Sequence, residues 1–291
     1  MIKFSYNTWP YSSFLNWVPS YPLEYTIKRL AAIGYDGIEI GAAAPHAYPA
    51  YLTPERRREI RKVLDDSGIA LSSMLCAPSG GRGNNPASPD VAERRSTVEH
   101  YKEIIDLTEE WGGHIVLYLP GWVIFGTRRR QAWAWSRECV KEIADHAAKH
   151  DVTLAIEPLA HDSNLCEGAE DAMELMEDVG HPNLKLMFDG NHVMYRKEIM
   201  SDYVYLMGKD LKHVHISDND RLPPGQGVGD WESFVDALLD IEFDGYLTME
   251  TGFHERGIHA DRDARMGLQY LKPLVERKIA ERRKKKQPVS A

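Results

Sequence analysis

Four side chains able to hold a divalent cation close four successive apolar segments: Glu157 after VTLAI, Asp189 after LKLMF, His215 within KHVHIS and Glu250 after YLTM. In the first segment Val152, Leu154 and Ile156 alternate with Thr153, Ala155 and Glu157. If the apolar set of a strand faces covering helices, Glu157 points the other way. The same parity sets His213 and His215 against Val214 and Ile216, and Thr248 and Glu250 against Leu247 and Met249. Three carboxylates and an imidazole gathered at one point repel unless a cation sits among them, because buried carboxylates are costly to keep charged. Oxygen-rich ligation with one nitrogen suits Mn2+, with Mg2+ or Co2+ as alternatives. Each residue alone reads more readily as an ion-pair or capping partner; the metal reading rests on four segments ending alike. His213, one step deeper, reads as a hydrogen-bonded core residue rather than a fifth ligand.

A cation held in this way suits proton transfer beside a carbonyl, because it stabilises the enediolate formed when the neighbouring carbon loses its proton. With Glu157 on one face and Glu250 on the other, one removes a proton and the other returns one, inverting the carbon. A single glutamate shuttling the proton would instead interconvert an aldose and a ketose. His192, three residues after Asp189, and Arg221, six after His215, fall on loops beyond the same segment ends and are candidates to hold substrate oxygens. Trp122, Phe125, Trp9 and His46 are candidates for a sugar-binding wall, with packing as the alternative for each.

The elements that must position these groups follow a repeating rhythm. Short apolar or alternating segments occur at 2–6, 37–40, 69–75, 114–119, 152–157, 184–189, 212–217 and 246–250. Stretches of helical period separate them, such as Val98, Tyr101, Ile104, Ile105 and Trp111. Thr53-Pro54 reads as a helix start, and Gly34, Gly68, Gly112 and Gly180 fall where helices should stop. Eight strands alternating with helices predict an α/β fold, a single (β/α)8 TIM barrel over residues 1–280, with a basic C-terminal tail at 281–291. A doubly wound sheet is the alternative, but no GxGxxG follows the first strand. The Gly-, Asn- and Pro-rich segment 78–90 reads as an active-site loop.

Composition narrows the partners. A formal charge of −9 argues against a nucleic-acid footprint. The chain opens without a basic-then-apolar leader and has no long uninterrupted apolar run, which predicts a cytoplasmic protein that does not engage a membrane. Cys76, Cys139 and Cys166 are odd in number and widely spaced, so buried thiols are expected rather than disulfides or a thiolate metal site.

The EP at the end of the fifth strand, the FDxxH of Phe188, Asp189 and His192, the HVHISDxDR from His213 to Arg221 and the terminal Glu250 together resemble the xylose isomerase-like sugar phosphate isomerase/epimerase superfamily. Within it the chain is most similar to the ketose 3-epimerases of the D-tagatose and D-psicose type. The resemblance implies that Glu157, Asp189, His215 and Glu250 bind the metal, that Glu157 and Glu250 are acid and base, and that His192 and Arg221 contact a small sugar substrate. It also implies a homo-oligomer. One stretch departs from the epimerase pattern: in EPLAHDSN a residue is missing, Asp162 stands where those enzymes carry a substrate-binding glutamate, and His161 replaces a group that does not ionise. A histidine there adds a catalytic acid or base near neutral pH. That looks like the α subunits of C-glycoside deglycosidases and related lyases acting on 3-keto-glycosides, which would bring a small β subunit as partner. A third alternative is an endonuclease of the related phosphodiesterase barrel, whose acidic substrate fits poorly with the net charge.

Overall fold

A computed structural model describes residues 1–12, 19–77, 84–252 and 260–286. Eight parallel strands follow one another around a closed barrel: β1 (Lys3–Asn7), β2 (Gly37–Ala42), β3 (Ala70–Cys76), β4 (Ile115–Tyr118), β5 (Thr153–Ile156), β6 (Leu184–Asp189), β7 (Leu211–Ile216) and β8 (Tyr246–Met249), with β8 paired back onto β1. The helices α1 (Leu23–Ile33), α2 (Pro54–Ser67), α3 (Val91–Glu110), α4 (Arg129–Ala147), α5 (Ala169–Val179), α6 (Gly190–Tyr195), α7 (Met200–Met207), α8 (Trp231–Asp240) and α9 (Ala260–Lys286) occupy the connections and the C-terminal segment. The (β/α)8 barrel expected from the sequence is therefore the observed fold.

Local chemistry explains the element ends. Thr53 caps α2 by accepting a hydrogen bond from the Arg56 amide at 3.2 Å, with Pro54 in the first turn. Gly34, Gly68 and Gly180 end α1, α2 and α5 in the left-handed conformation, at φ of 106°, 64° and 64°, which a residue with a Cβ adopts only under strain.

Strand parity divides the core into two layers. The outward set, including Ile38, Val116, Leu154, Phe188, Val214 and Leu247, packs beneath the helices. The inward set of β3 to β6, Leu75, Leu117, Ala155 and Met187, forms a separate interior cluster with Trp9, Ala43, Ala77 and Leu119. The remaining interior positions, Asn7, Glu39, Ser73, His213, His215 and Thr248, are polar and fully buried. The barrel interior is thus apolar along one side and hydrogen-bonded along the other.

All three cysteines are free and buried. Among the described residues no helix is long and apolar enough to cross a membrane. The basic run from Arg282 continues α9 as far as Lys286, and Arg282 docks on α8 through the Asp236 carbonyl at 2.8 Å and the Asp240 carboxylate at 2.7 Å. Residues 287–291 of the expected tail, and 78–83 of the expected active-site loop, lie outside the described residues.

The Trp9 indole packs against β2 at Gly41, where there is no side chain to keep it away. A Cβ built there would stand 2.0 to 2.5 Å from three indole carbons, far inside van der Waals contact. Gly41→Ala is expected to lower unfolding stability by about 1–3 kcal/mol, the usual cost of overpacking a filled core. Denaturant midpoints for the two proteins measure it; coincident curves would mean that the indole simply moves aside.

Candidate metal centre and active site

His215, on β7, organises the C-terminal mouth of the barrel. Its Nδ1 lies 3.4 Å from Glu157 Oε1, 3.2 Å from Glu250 Oε2 and 4.0 Å from Asp189 Oδ2, so the structure brings the four expected ligands to one point. All four are buried. Glu157 and Glu250 fall one residue beyond β5 and β8, but their amides still donate to the neighbouring strands, at Tyr118 O and Ile216 O, both at 3.0 Å. Asp189 caps α6 by accepting from the Asn191 amide at 2.8 Å.

Glu39, which the sequence reading did not single out, orients this centre. Its carboxylate accepts from His215 Nε2 at 2.8 and 3.1 Å, from His213 Nε2 at 3.0 Å, from Asn7 Nδ2 at 2.6 Å and from Ser73 Oγ at 2.6 Å. With Nε2 committed to Glu39, Nδ1 is the nitrogen that faces the three carboxylates, and it makes no hydrogen bond. Parity was the available signal, since Glu39 alternates with Ile38 and Ile40 as Glu157 does with Leu154 and Ile156. His213 is the hydrogen-bonded core residue expected of it.

The donor set fits a divalent cation. Six-coordinate ions of the Mg2+ or Mn2+ kind bond oxygen and nitrogen at about 2.1 Å, which puts adjacent donors about 3 Å apart; the donors around His215 Nδ1 are at 3.2 to 4.0 Å. An otherwise unpartnered buried nitrogen facing three carboxylates is the chemistry such an ion satisfies.

Arg221 reaches the same carboxylates. Expected to contact substrate, it donates through Nη1 to Asp189 Oδ2 and, at 2.6 Å, to Glu250 Oε2. Asp220 and Arg221 both take left-handed backbone angles, φ 58° and 59°, and the Arg221 carbonyl accepts from the Gly252 amide at 3.1 Å. Strain of this kind persists only where the surroundings over-determine it. Beside Arg221 opens a cavity of about 520 Å³, lined also by Leu222, Pro223, Gln226, Arg262 and Met266.

Burial and charge separate the acids. Burial raises Glu157 to about 7, with the Glu250 and Asp189 charges adding to the rise and His215 opposing it. Burial acts on Asp189 in the same direction, but Arg221, His192 and His215 outweigh it and hold the carboxyl at about 2. Burial disfavours the cationic form of His192 and pushes it down to about 4. His192 is therefore neutral near pH 7. Its Nδ1 accepts from the His161 amide at 3.2 Å, which leaves the proton on Nε2, 3.7 Å from Asp162 Oδ2 and 3.9 Å from Asp189 Oδ2.

His161 and Asp162 stand at the exposed rim, joined Nδ1 to Oδ1 at 2.6 Å, with the His161 ring edge-on to Tyr195. Trp122 is partly exposed at the end of β4, its backbone clamped on both sides by Asn85 at 3.0 and 3.1 Å. The other wall candidates also lie on connections that leave the C-terminal ends of strands: Phe125 is fully exposed after β4, Trp9 after β1 packs with Ala43, Ala77 and Leu119, and His46 after β2 is buried with Nε2 donating to Tyr21 O at 2.8 Å.

The profile of the xylose isomerase-like TIM barrel family matches residues 27–274. The chain belongs to that family. Among curated proteins, the D-psicose 3-epimerase of Ruminiclostridium cellulolyticum is 28% identical over 234 residues, 78% of this chain and 77% of that protein. The fructoselysine 3-epimerase of Escherichia coli O157:H7 is 25% identical over 235 residues, 79% of this chain and 85% of that protein. The barrel also superposes on the crystal structure of D-psicose 3-epimerase with D-tagatose from Clostridium cellulolyticum H10, with a TM-score of 0.80 and 23% identity over 94% of this chain and 99% of that one. The 3-keto-D-glucoside 4-epimerase from E. coli gives a TM-score of 0.79 at 17% identity, over 94% and 100%. At these identities the two structures bear on the fold alone.

Burial lowers the His46 pKa, partly offset by the Tyr21 carbonyl and Glu24. A histidine depressed in the folded state contributes stability above its unfolded value of about 6.5, which is lost as pH falls through the lower folded value. His46→Gln is expected to lose less thermal stability than the wild type between neutral pH and pH 5. Equal slopes in a pH series of melting temperatures would remove this role.

Proposed function

We propose that the chain is a metal-dependent ketose 3-epimerase that moves a proton at the carbon beside a carbonyl, with Glu157 and Glu250 as the two proton carriers. The chain is an enzyme of the isomerase and epimerase class, as its named relatives are. The observation that carries the finer reading is the placement of the two glutamates on either side of His215 Nδ1, at 3.4 and 3.2 Å, from strands three apart in the ring of eight. Carbon inversion needs one proton carrier on each face of the reacting carbon.

Glu157, Asp189, His215 and Glu250 would hold the ion, Mn2+ by the balance of oxygen over nitrogen, with Mg2+ or Co2+ as alternatives. When bound, it polarises the carbonyl and adjacent hydroxyl oxygens and stabilises the charge that develops as the proton leaves. Glu157, raised to about 7, is poised to hold or release a proton near neutrality, which suits an acid or base at that pH. Glu250 works from the opposite face, its carboxylate fixed by Arg221. The neutral His192 presents an Nε2 proton to a sugar oxygen, and Arg221 sets the charge of the carboxylates while walling the cavity beside them. Asp162, His161 and Trp122 form the rim that meets the far end of the sugar. His46 contributes through the packing of the segment before α1. Cleavage of 3-keto-glycosides is the less favoured reading, since the relatives above are epimerases by name and His161, its proposed acid, is an exposed rim residue paired to Asp162.

Glu157→Gln and Glu250→Gln are each expected to reduce kcat by about 10²–10⁴-fold. Full turnover by either variant would remove the two-glutamate mechanism. In D2O, D-psicose, D-tagatose or fructoselysine should yield an epimer carrying deuterium at the inverted carbon, while 3-keto-glucosides release no aglycone. An unlabelled epimer would rule out proton abstraction. Dialysis against EDTA is expected to abolish turnover and added Mn2+ to restore it; activity indifferent to both treatments would exclude a metal role.

A further inference from the structure

The opposite end of the barrel holds a second group of metal-type donors. The helices run antiparallel to the strands, so the C-terminal ends of α3 and α4 lie at the face away from Glu157 and His215. There Asp106 of α3 meets His146 of α4 and His150 in the turn that follows, with one donor atom from each within 4.8 Å of the others. His146 Nε2 lies 2.7 Å and His150 Nε2 3.5 Å from the same oxygen, Asp106 Oδ1. The two rings lean together with centroids 4.5 Å apart, as the i, i+4 spacing dictates.

A second observation concerns which nitrogen of His150 is free to bind. Its Nδ1 lies 2.8 Å from Glu109 Oε2 and donates to it, so the neutral ring turns the Nε2 lone pair toward Asp106. A carboxylate behind an imidazole whose other nitrogen faces a shared donor is the arrangement that orients histidine ligands for a metal. The last turns of α3 also gather Asp106, Glu109 and Glu110 with no basic residue in the final turn, at the negative end of the helix dipole. Positive charge is favoured at such an end.

We infer that Asp106, His146 and His150 form a second cation site, selective for Zn2+ or another imidazole-seeking transition ion, that ties the end of α3 to the end of α4. Two imidazoles and one carboxylate favour such ions over Mg2+ or Mn2+, the reverse of the oxygen-rich mouth. The ion takes the place of the proton between His146 Nε2 and Asp106, and the neutral ring then carries its one proton on Nδ1. Three protein donors leave positions open to water, so the site needs no closure by another chain. The inference stands independently of the reaction at the mouth.

Zinc content after equilibrium dialysis of the full-length protein against micromolar free Zn2+ tests it. The wild type is expected to hold one zinc per chain more than His146→Gln/His150→Gln, whatever the mouth binds in both. Glu109→Gln, which keeps all three donors, is expected to weaken this zinc by about 10–100-fold. Circular dichroism of both variants without zinc confirms that they fold, since the substituted side chains are partly exposed. Equal zinc content and affinity in the wild type and the double variant would overturn the site. Unchanged affinity in Glu109→Gln would overturn the orienting role of Glu109 and with it the argument for a built site.

Discussion

The buried Glu39 carboxylate is the interaction on which the catalytic end of the barrel depends. It receives donors from Asn7 on β1, Ser73 on β3 and both histidines of β7, and so ties four strands together beneath the mouth. A carboxylate removed from water persists as a charge only when its oxygens are met by donors of this number and kind. Burial alone would raise its pKa, but the His215 charge and the hydrogen bonds of both histidines hold it well below the carboxylate range. The consequence passes upward through one imidazole: with Nε2 committed to Glu39, His215 turns Nδ1 toward Glu157, Asp189 and Glu250.

Above that ring the same kinds of side chain acquire different behaviour from their neighbours. Asp189 and Glu157 are both fully enclosed carboxylates near His215, yet one lies at about 2 and the other at about 7. Arg221 accounts for much of the difference, because its guanidinium rests on Asp189 and Glu250 and forms no such bond with Glu157. Titratable pairs driven apart in this way divide into a permanent charge and a proton carrier. The apolar half of the interior, Leu75, Leu117, Ala155 and Met187 under Trp9, gives the site a dry floor on the side of β3 to β6. Low dielectric there strengthens every charge interaction above it.

Much of this was legible along the chain wherever the controlling physics is local. Alternation in β5, β7 and β8 is a property of consecutive residues, so the inward faces of Glu157, His215 and Glu250 could be read directly. Helix ends at Thr53, Gly34, Gly68 and Gly180 follow from capping chemistry confined to a turn. His46, Phe125 and Arg221 were harder, because each sits on a connection whose path is set by distant contacts. Phe125 projects into solvent from one such connection, and His46 is drawn inward by the Tyr21 carbonyl, 25 positions earlier in the chain.

The sequence by itself determined the barrel, the sidedness of its strands and the four residues at its mouth, because periodicity and capping act between neighbours. Tertiary structure alone decided what those residues meet. The register shift between Ile38 and Glu39 sets β2 against β3 and accompanies the contact of Glu39 with Ser73 and the β7 histidines. The left-handed turn at Asp220 and Arg221 brings a guanidinium onto Asp189 and Glu250. Charge coupling acts through space between residues distant along the chain, and no local pattern encodes it.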